Sequence, residues 1–234
     1  MNNLERLEHR YFCISSLSDS VEQTLDSLGT LTKISYPLPV TETIYLTYGA
    51  KAKYEAPTGL TIRLRRYTLE LSEVIEVTRD SILLEIKRDD RASEISSKEQ
   101  ISMPGIDAIR FLAGLDDRLA LRQRLGAIAN RQLFPTGAMQ SYRCHWIHPS
   151  GMRVTLDKGI RFFLFAAGNL YFARRVINLG EGKLEFKFPK VSRNDRVLEQ
   201  ETVAACGCAK RIPGYLGRKA RECLLTYMSK QDKH

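Results

Sequence analysis

The chain has 234 residues, 43% hydrophobic and 27% charged, and carries a formal net charge of +9. Those proportions suit a globular protein that buries a core without disulfides, and no apolar run approaches the roughly 20 residues that a membrane-spanning helix needs. The surplus of cations, with a pI near 9.4, points to an anionic partner: nucleic acid, a phosphate-rich molecule or an acidic membrane surface.

The opening "MNNLERLEHR" is charged where a secretory signal needs an apolar stretch, so a soluble cytoplasmic protein without a membrane segment is expected. "LERLEHRYFCI" (4–14) reads as a strand with Glu8 and Arg10 on one face. "SDSVEQTLDSLGT" reads as a short helix, capped by Ser18 or Asp19 and ended by Gly29. After the proline-marked "YPLPVTE", strand patterns follow in "TIYLTYG", "GLTIRLRRY", "SILLEIKRD", "SEISSKEQISM", "MQSYRCHWI", "GMRVTLDKGI", "YFARRVINL" and "GKLEFKFP". A helical insertion with period-3.6 apolar spacing is expected over 104–133, and C-terminal helices over 195–229. No linker or solenoid repeat interrupts residues 1–234, so a single α+β domain dominated by antiparallel pairing is expected. Five scattered cysteines, Cys13, Cys144, Cys206, Cys208 and Cys223, suit a reducing compartment. The C-x-C pair in "ACGCAK" has no second pair to complete a thiolate metal site and reads as structural.

Several strands carry charge at i, i+2, hence on one face: Glu8/Arg10, Arg63/Arg65, Glu85/Lys87, Arg153/Asp157 through Thr155, and Glu185/Lys187. Ile62, Leu64, Leu84, Ile86, Leu184, Phe186 and Phe188 occupy the opposite face. An open sheet would leave the charged face in water. A sheet closed on itself would turn it inward, with the apolar face packed under helices. Five strands repeating the pattern favour the inward face, where crowded cations are costly unless a polyanion is received. Arginine forks match phosphate oxygens, and the few carboxylates suit a hard divalent cation, Mg²⁺ or Mn²⁺.

Those residues also carry a resemblance. "LEHRYF", "TIRLRRY", "LLEIKRD", "SSKEQISM", "SYRCHW", "MRVTLD", "LEFKFP" and "CAKRIPG" resemble, in order, motifs of the polyphosphate polymerase domain of vacuolar transporter chaperone (VTC) proteins. The resemblance spans Glu8 to Gly214. It implies the triphosphate tunnel fold shared with CYTH phosphatases, a closed eight-stranded antiparallel barrel whose bore binds triphosphate with a divalent metal. It further implies phosphate-binding or catalytic roles for Arg10, Arg63, Arg65, Lys87, Lys98, Arg143 and Lys210, with Arg153 and Lys187 on the same face by parity. Glu185 corresponds to the metal-binding glutamate, with Glu8 and Glu85 as further acidic residues. Arg10 stands where the family usually has lysine, Gln100 replaces an arginine and Ala209 a serine.

The leading expectation is phosphoryl transfer on ATP, another triphosphate or polyphosphate, with polyphosphate synthesis first. The rivals are a CYTH-type tripolyphosphatase or organic triphosphatase, and a non-catalytic polyphosphate or nucleic-acid binding module. Nucleic acid is not the first expectation, because aromatic residues are not interleaved on the charged face. "YRCHWIHP" is not expected to hold zinc, since parity sets Cys144 and His148 opposite His145.

Overall fold

All nine strand patterns are strands in the computed structural model, which describes residues 7–14, 18–48, 60–89, 96–115, 123, 125, 132–166, 169–179, 181–189 and 193–210. They are β1 (Leu7–Ile14), β3 (Val40–Tyr48), β4 (Leu60–Thr68), β6 (Ser81–Asp89), β7 (Ser96–Pro104), β8 (Leu133–Ile147), β9 (Arg153–Phe165), β10 (Phe172–Asn178) and β11 (Glu181–Phe188). Three short strands complete the sheet: β2 (Thr32–Ile34), β5 (Val74–Glu76) and β12 (Ala209–Lys210). The described helices are α1 (Ser18–Ser27), α2 (Gly105–Leu112) and α3 (Arg193–Ala205). Most of the expected insertion beyond α2, and the expected helices beyond 210, lie outside the described residues.

Every described pairing is antiparallel. The main path of the twelve-stranded sheet runs β12-β1-β11-β9-β8-β3-β4-β6-β7. The expectation of eight strands closed by hydrogen bonds is therefore corrected in count and not met in closure: no described pairing joins β7 to β1 or β12. The additional strands β2 and β5 have three residues each, too few for alternation to announce them.

The sheet is nonetheless deeply curled. β1 and β6 are six spacings apart along the path; in a flat sheet, at about 4.8 Å per spacing, they would stand roughly 29 Å apart. Yet Lys87 Nζ of β6 lies 3.5 Å from Glu8 Oε2 of β1, a contact that only a concave charged face permits. The registers shift where Gln140 and Tyr142 face Arg161 and Lys158, and where Tyr45 and Leu46 face Gly137 and Pro135, which puts the extra residues on β9 and β8; such bulges sharpen bend and twist.

The convex face is apolar and sits under the helices. α2 inserts Ala108, Ile109, Phe111 and Leu112 into a cluster with Ile62, Leu64, Ile82, Leu84 and Ile86. Val21 and Leu25 of α1 meet Trp146, Val154, Leu156, Leu184, Phe186 and Phe188, with Leu198 and Val203 of α3 against the same cluster. Each such side chain contributes roughly 1.5–3 kcal/mol by leaving water, and this fixes which face turns out. One polar knot lies on the convex side: buried Arg66 donates to Glu42 Oε2 at 2.5 Å and to the Glu76 carbonyl, while Gln140 donates to Glu42 Oε1 at 2.7 Å.

Candidate functional site

On the concave face the registers bring the alternating charges of neighbouring strands into contact. Arg10 lies opposite Glu185, and Glu8 opposite Lys187. Lys183 lies opposite Asp157, which lies opposite Arg143. Farther along, Arg63 lies opposite Glu85, and Lys87 opposite Lys98. Directly opposed residues of an antiparallel pair share a face, so one sheet surface collects them all.

Two ion-pair networks result. In the first, Arg10 bonds Glu185 at 2.7 Å and also Glu8, which Lys87 approaches. Lys187 holds Glu185 at 2.6 Å. Lys183 reaches Asp157 at 2.8 Å and Glu185 at 3.8 Å, and Arg143 grips both oxygens of Asp157. In the second, Glu85 receives Arg63 at 2.5 Å, Arg65 at 3.5 Å and Lys98 at 3.0 Å. Gln100 donates to the same carboxylate at 2.5 Å. Arg65 also donates to Thr43 Oγ1 at 3.3 Å.

These pairs join eight cations to four carboxylates. The carboxylates are deep: Glu85 and Asp157 are 0% exposed and Glu185 is 5%. Burial works to protonate Glu85, but Arg63, Arg65 and Lys98 outweigh it and hold its pKa at about 2. Asp157 is likewise held low against burial by Arg143 and Lys183, and Glu185 by Lys183, Lys187 and Arg10. The cations feel the crowding. Burial and then the Arg63 charge lower Arg65, and burial lowers Lys98 despite Glu85. Burial brings Lys183 to about 8 although Asp157 and Glu185 oppose it. His145, opposite Thr155, is pushed to about 4 by burial and by Arg143, so it adds no charge at neutral pH. The hydroxyls of Thr41, Ser141 and Thr155 are buried on this face without a hydrogen-bond partner among the described residues.

Of the residues expected from sequence, Arg10, Arg63, Arg65, Lys87, Lys98, Arg143, Lys187, Glu8, Glu85 and Glu185 lie in these networks. Arg153 is opposite Lys187 but exposed. Lys210 is in β12 opposite Tyr11, a residue of the apolar face, and its side chain lies outside the described residues. The three glutamates do not assemble: Glu8 and Glu185 share Arg10, whereas Glu85 is in the other network, and no group of three metal-ligating side chains forms among the described residues. Two central residues were not among the expected ligands, Asp157 and Lys183. Parity already set Asp157 on the charged face, and the strict alternation Lys183, Glu185, Lys187 contained the signal for Lys183. Cys144 is buried among apolar residues and His148 bonds Ser150.

The fold thus presents a curled antiparallel sheet with a cationic concave surface. Among solved structures, a protein from Hippeastrum described as the putative adenylyl cyclase HpAC1, with a dominant triphosphatase activity, matches with a TM-score of 0.54. The match covers 88% of this chain and 90% of that one at 12% identity, a likeness in fold alone. The PH1819 protein of Pyrococcus horikoshii OT3 matches at 13% identity with a TM-score of 0.46, over 92% of this chain and 99% of that one. No protein-family description matches the chain, and no curated protein does.

Proposed function

We propose that the chain carries out metal-dependent phosphoryl transfer on a triphosphate or polyphosphate held against its concave face. The carrying observation is the excess of four positive charges in a largely buried network. Such an excess is costly in a low-dielectric recess and is relieved by a polyanion. An incoming phosphate chain competes with Glu85, Glu8 and Glu185 for the cations they hold. Arg63, Arg65 and Arg143 offer planar forks to phosphate oxygens, while Lys87, Lys98 and Lys187 offer point charges. Together they position the chain and stabilise charge on the transferring group, the main protein contribution in this chemistry.

Glu8 and Glu185 converge on one arginine and repel each other electrostatically. Two hard oxygen donors that gain from a shared cation fit Mg²⁺ or Mn²⁺, which take one or two carboxylates and complete their shell with water and phosphate. When bound, such a cation supplies Lewis-acid polarisation of phosphoryl oxygens. Glu85, clamped by Arg63, Arg65 and Lys98, serves to preorganise those cations.

The acceptor is water or the end of a phosphate chain. Chain extension is supported by the ordered resemblance to the polymerase family. Hydrolysis is supported by the triphosphatase activity described for the Hippeastrum protein of the same fold. Purified protein incubated with ATP or tripolyphosphate and Mn²⁺, with products resolved on a gel, decides between them. Long chains identify a polymerase and released phosphate a hydrolase; unchanged substrate leaves only a binding module.

A further inference from the structure

Three cysteines that phosphoryl transfer does not use converge on the convex side. Cys13 is in β1; Cys206 and Cys208 flank Gly207 at the end of α3. Gly207 has φ +59, and its N–H and that of Cys208 bond back to the carbonyls of Ala204 and Val203. This is a left-handed helix stop, which glycine adopts without strain. It turns the chain directly into β12, where Ala209 pairs with Phe12 and Lys210 with Tyr11. Continuing that register by one residue sets Cys208 opposite Cys13. The Cys208 thiol donates to the Cys206 carbonyl at 3.7 Å, and Cys13 and Cys208 are close enough to perturb each other's ionisation. On the far side of Cys13 lies Gly182, where a Cβ would come within 2.9 Å of the Cys13 sulfur. Cys13 and Cys206 are 3% and 6% exposed, whereas Cys208 is half-buried, so a reagent arrives first at Cys208.

We propose that Cys208 and Cys13 form a reversible disulfide when the protein meets a hydroperoxide, fastening β12 and the end of α3 to β1. Cys208, whose sulfur neighbours raise its pKa, gives its proton to solvent, and the resulting thiolate attacks a peroxide oxygen. The O–O bond breaks, hydroxide leaves as water, and Cys208 becomes a sulfenic acid. The Cys13 sulfur then attacks the Cys208 sulfur, the S–O bond breaks, and a second water carries off the Cys13 proton. Two thiols lose two electrons and two protons, and one peroxide becomes two waters. Directly opposed residues of an antiparallel pair have Cα atoms about 4.5–5.5 Å apart, within disulfide range. A Cys206–Cys208 bridge would instead close a tight ring inside the helix stop and disturb its hydrogen bonds. The strand so fastened carries Glu8 and Arg10, but the thiol chemistry stands independently of the phosphoryl-transfer reading.

The test titrates the reduced full chain with hydrogen peroxide, blocks free thiols by alkylation, and weighs non-reduced peptides. The expected product is a peptide pair linked through Cys13 and Cys208, two hydrogens lighter than its parts and separated by dithiothreitol. The oxidised protein should melt roughly 5–10 °C higher than the reduced one. The bridge should persist in C206S and vanish in C208S. A Cys206–Cys208 bridge, a bridge through Cys144, or sulfinic acid at Cys208 with Cys13 still alkylated overturns the proposal. Should C13S fail to fold, the wild-type alkylation pattern and C206S decide the matter.

Discussion

Asp157 is 0% exposed and faces two cations, Arg143 and Lys183, both at hydrogen-bonding distance. Replacing it with alanine leaves those charges buried and uncompensated. Asp157→Ala should lose about 3–5 kcal/mol of stability in urea unfolding, in contrast to Arg153→Ala, whose exposed residue should change stability by less than about 0.5 kcal/mol. Glu185 has a different role in the proposed chemistry. Glu185→Gln keeps the shape and removes the charge, so metal-dependent phosphate release or chain synthesis should fall to background; full turnover would discard its assignment. The residue scale is where sequence reading was most complete. Strand parity alone sorted Arg63, Arg65, Glu85, Lys87 and Glu185 onto one face, because side chains alternate regardless of what the sheet does.

At the scale of elements, nine strands, α1, α2 and most of α3 were legible from alternation, helical periodicity and turn residues. β2, β5 and β12 were not, because two or three residues hold no period and are extended only by pairing with β8, β10 and β1. The "CGC" segment shows the other kind of limit. Its glycine reads as an interruption, yet Gly207 is the αL stop of α3. Gly207→Val should cost roughly 1–2 kcal/mol by forcing a β-branched residue to positive φ, seen as a lower thermal midpoint. Nothing local to the sequence announces that the stop leads straight into pairing with β1, since Ala209 and Lys210 meet Phe12 and Tyr11 only through the β1–β12 register.

For the whole molecule, the uncompensated positive charge of the concave face makes stability depend on ligands and on acid. Tripolyphosphate, without metal, should raise the melting temperature: at a hundred times its Kd it adds about 2.7 kcal/mol, and added salt should weaken the effect. Acid acts through the depressed carboxylates. Glu85 titrates at about 2 in the fold against an ordinary value of 4.5. Its contribution is therefore whole above the ordinary value and is lost as pH falls toward 2. Unfolding free energy measured from pH 6 downward should decline through that window, and the decline should be shallower in Glu85→Gln.

The amino-acid order by itself determined which side chains share a face, because pleating imposes a period of two whatever the surroundings. It also determined that the shared face is cationic in excess. Only the tertiary structure decided that this face is concave, that Lys87 reaches Glu8 across the curl, and that Glu85 stands apart from Glu8 and Glu185. Those facts depend on strand order, register and curvature, which come from contacts between residues up to 199 positions apart in the chain, as Tyr11 and Lys210 are, where no local pattern can record them.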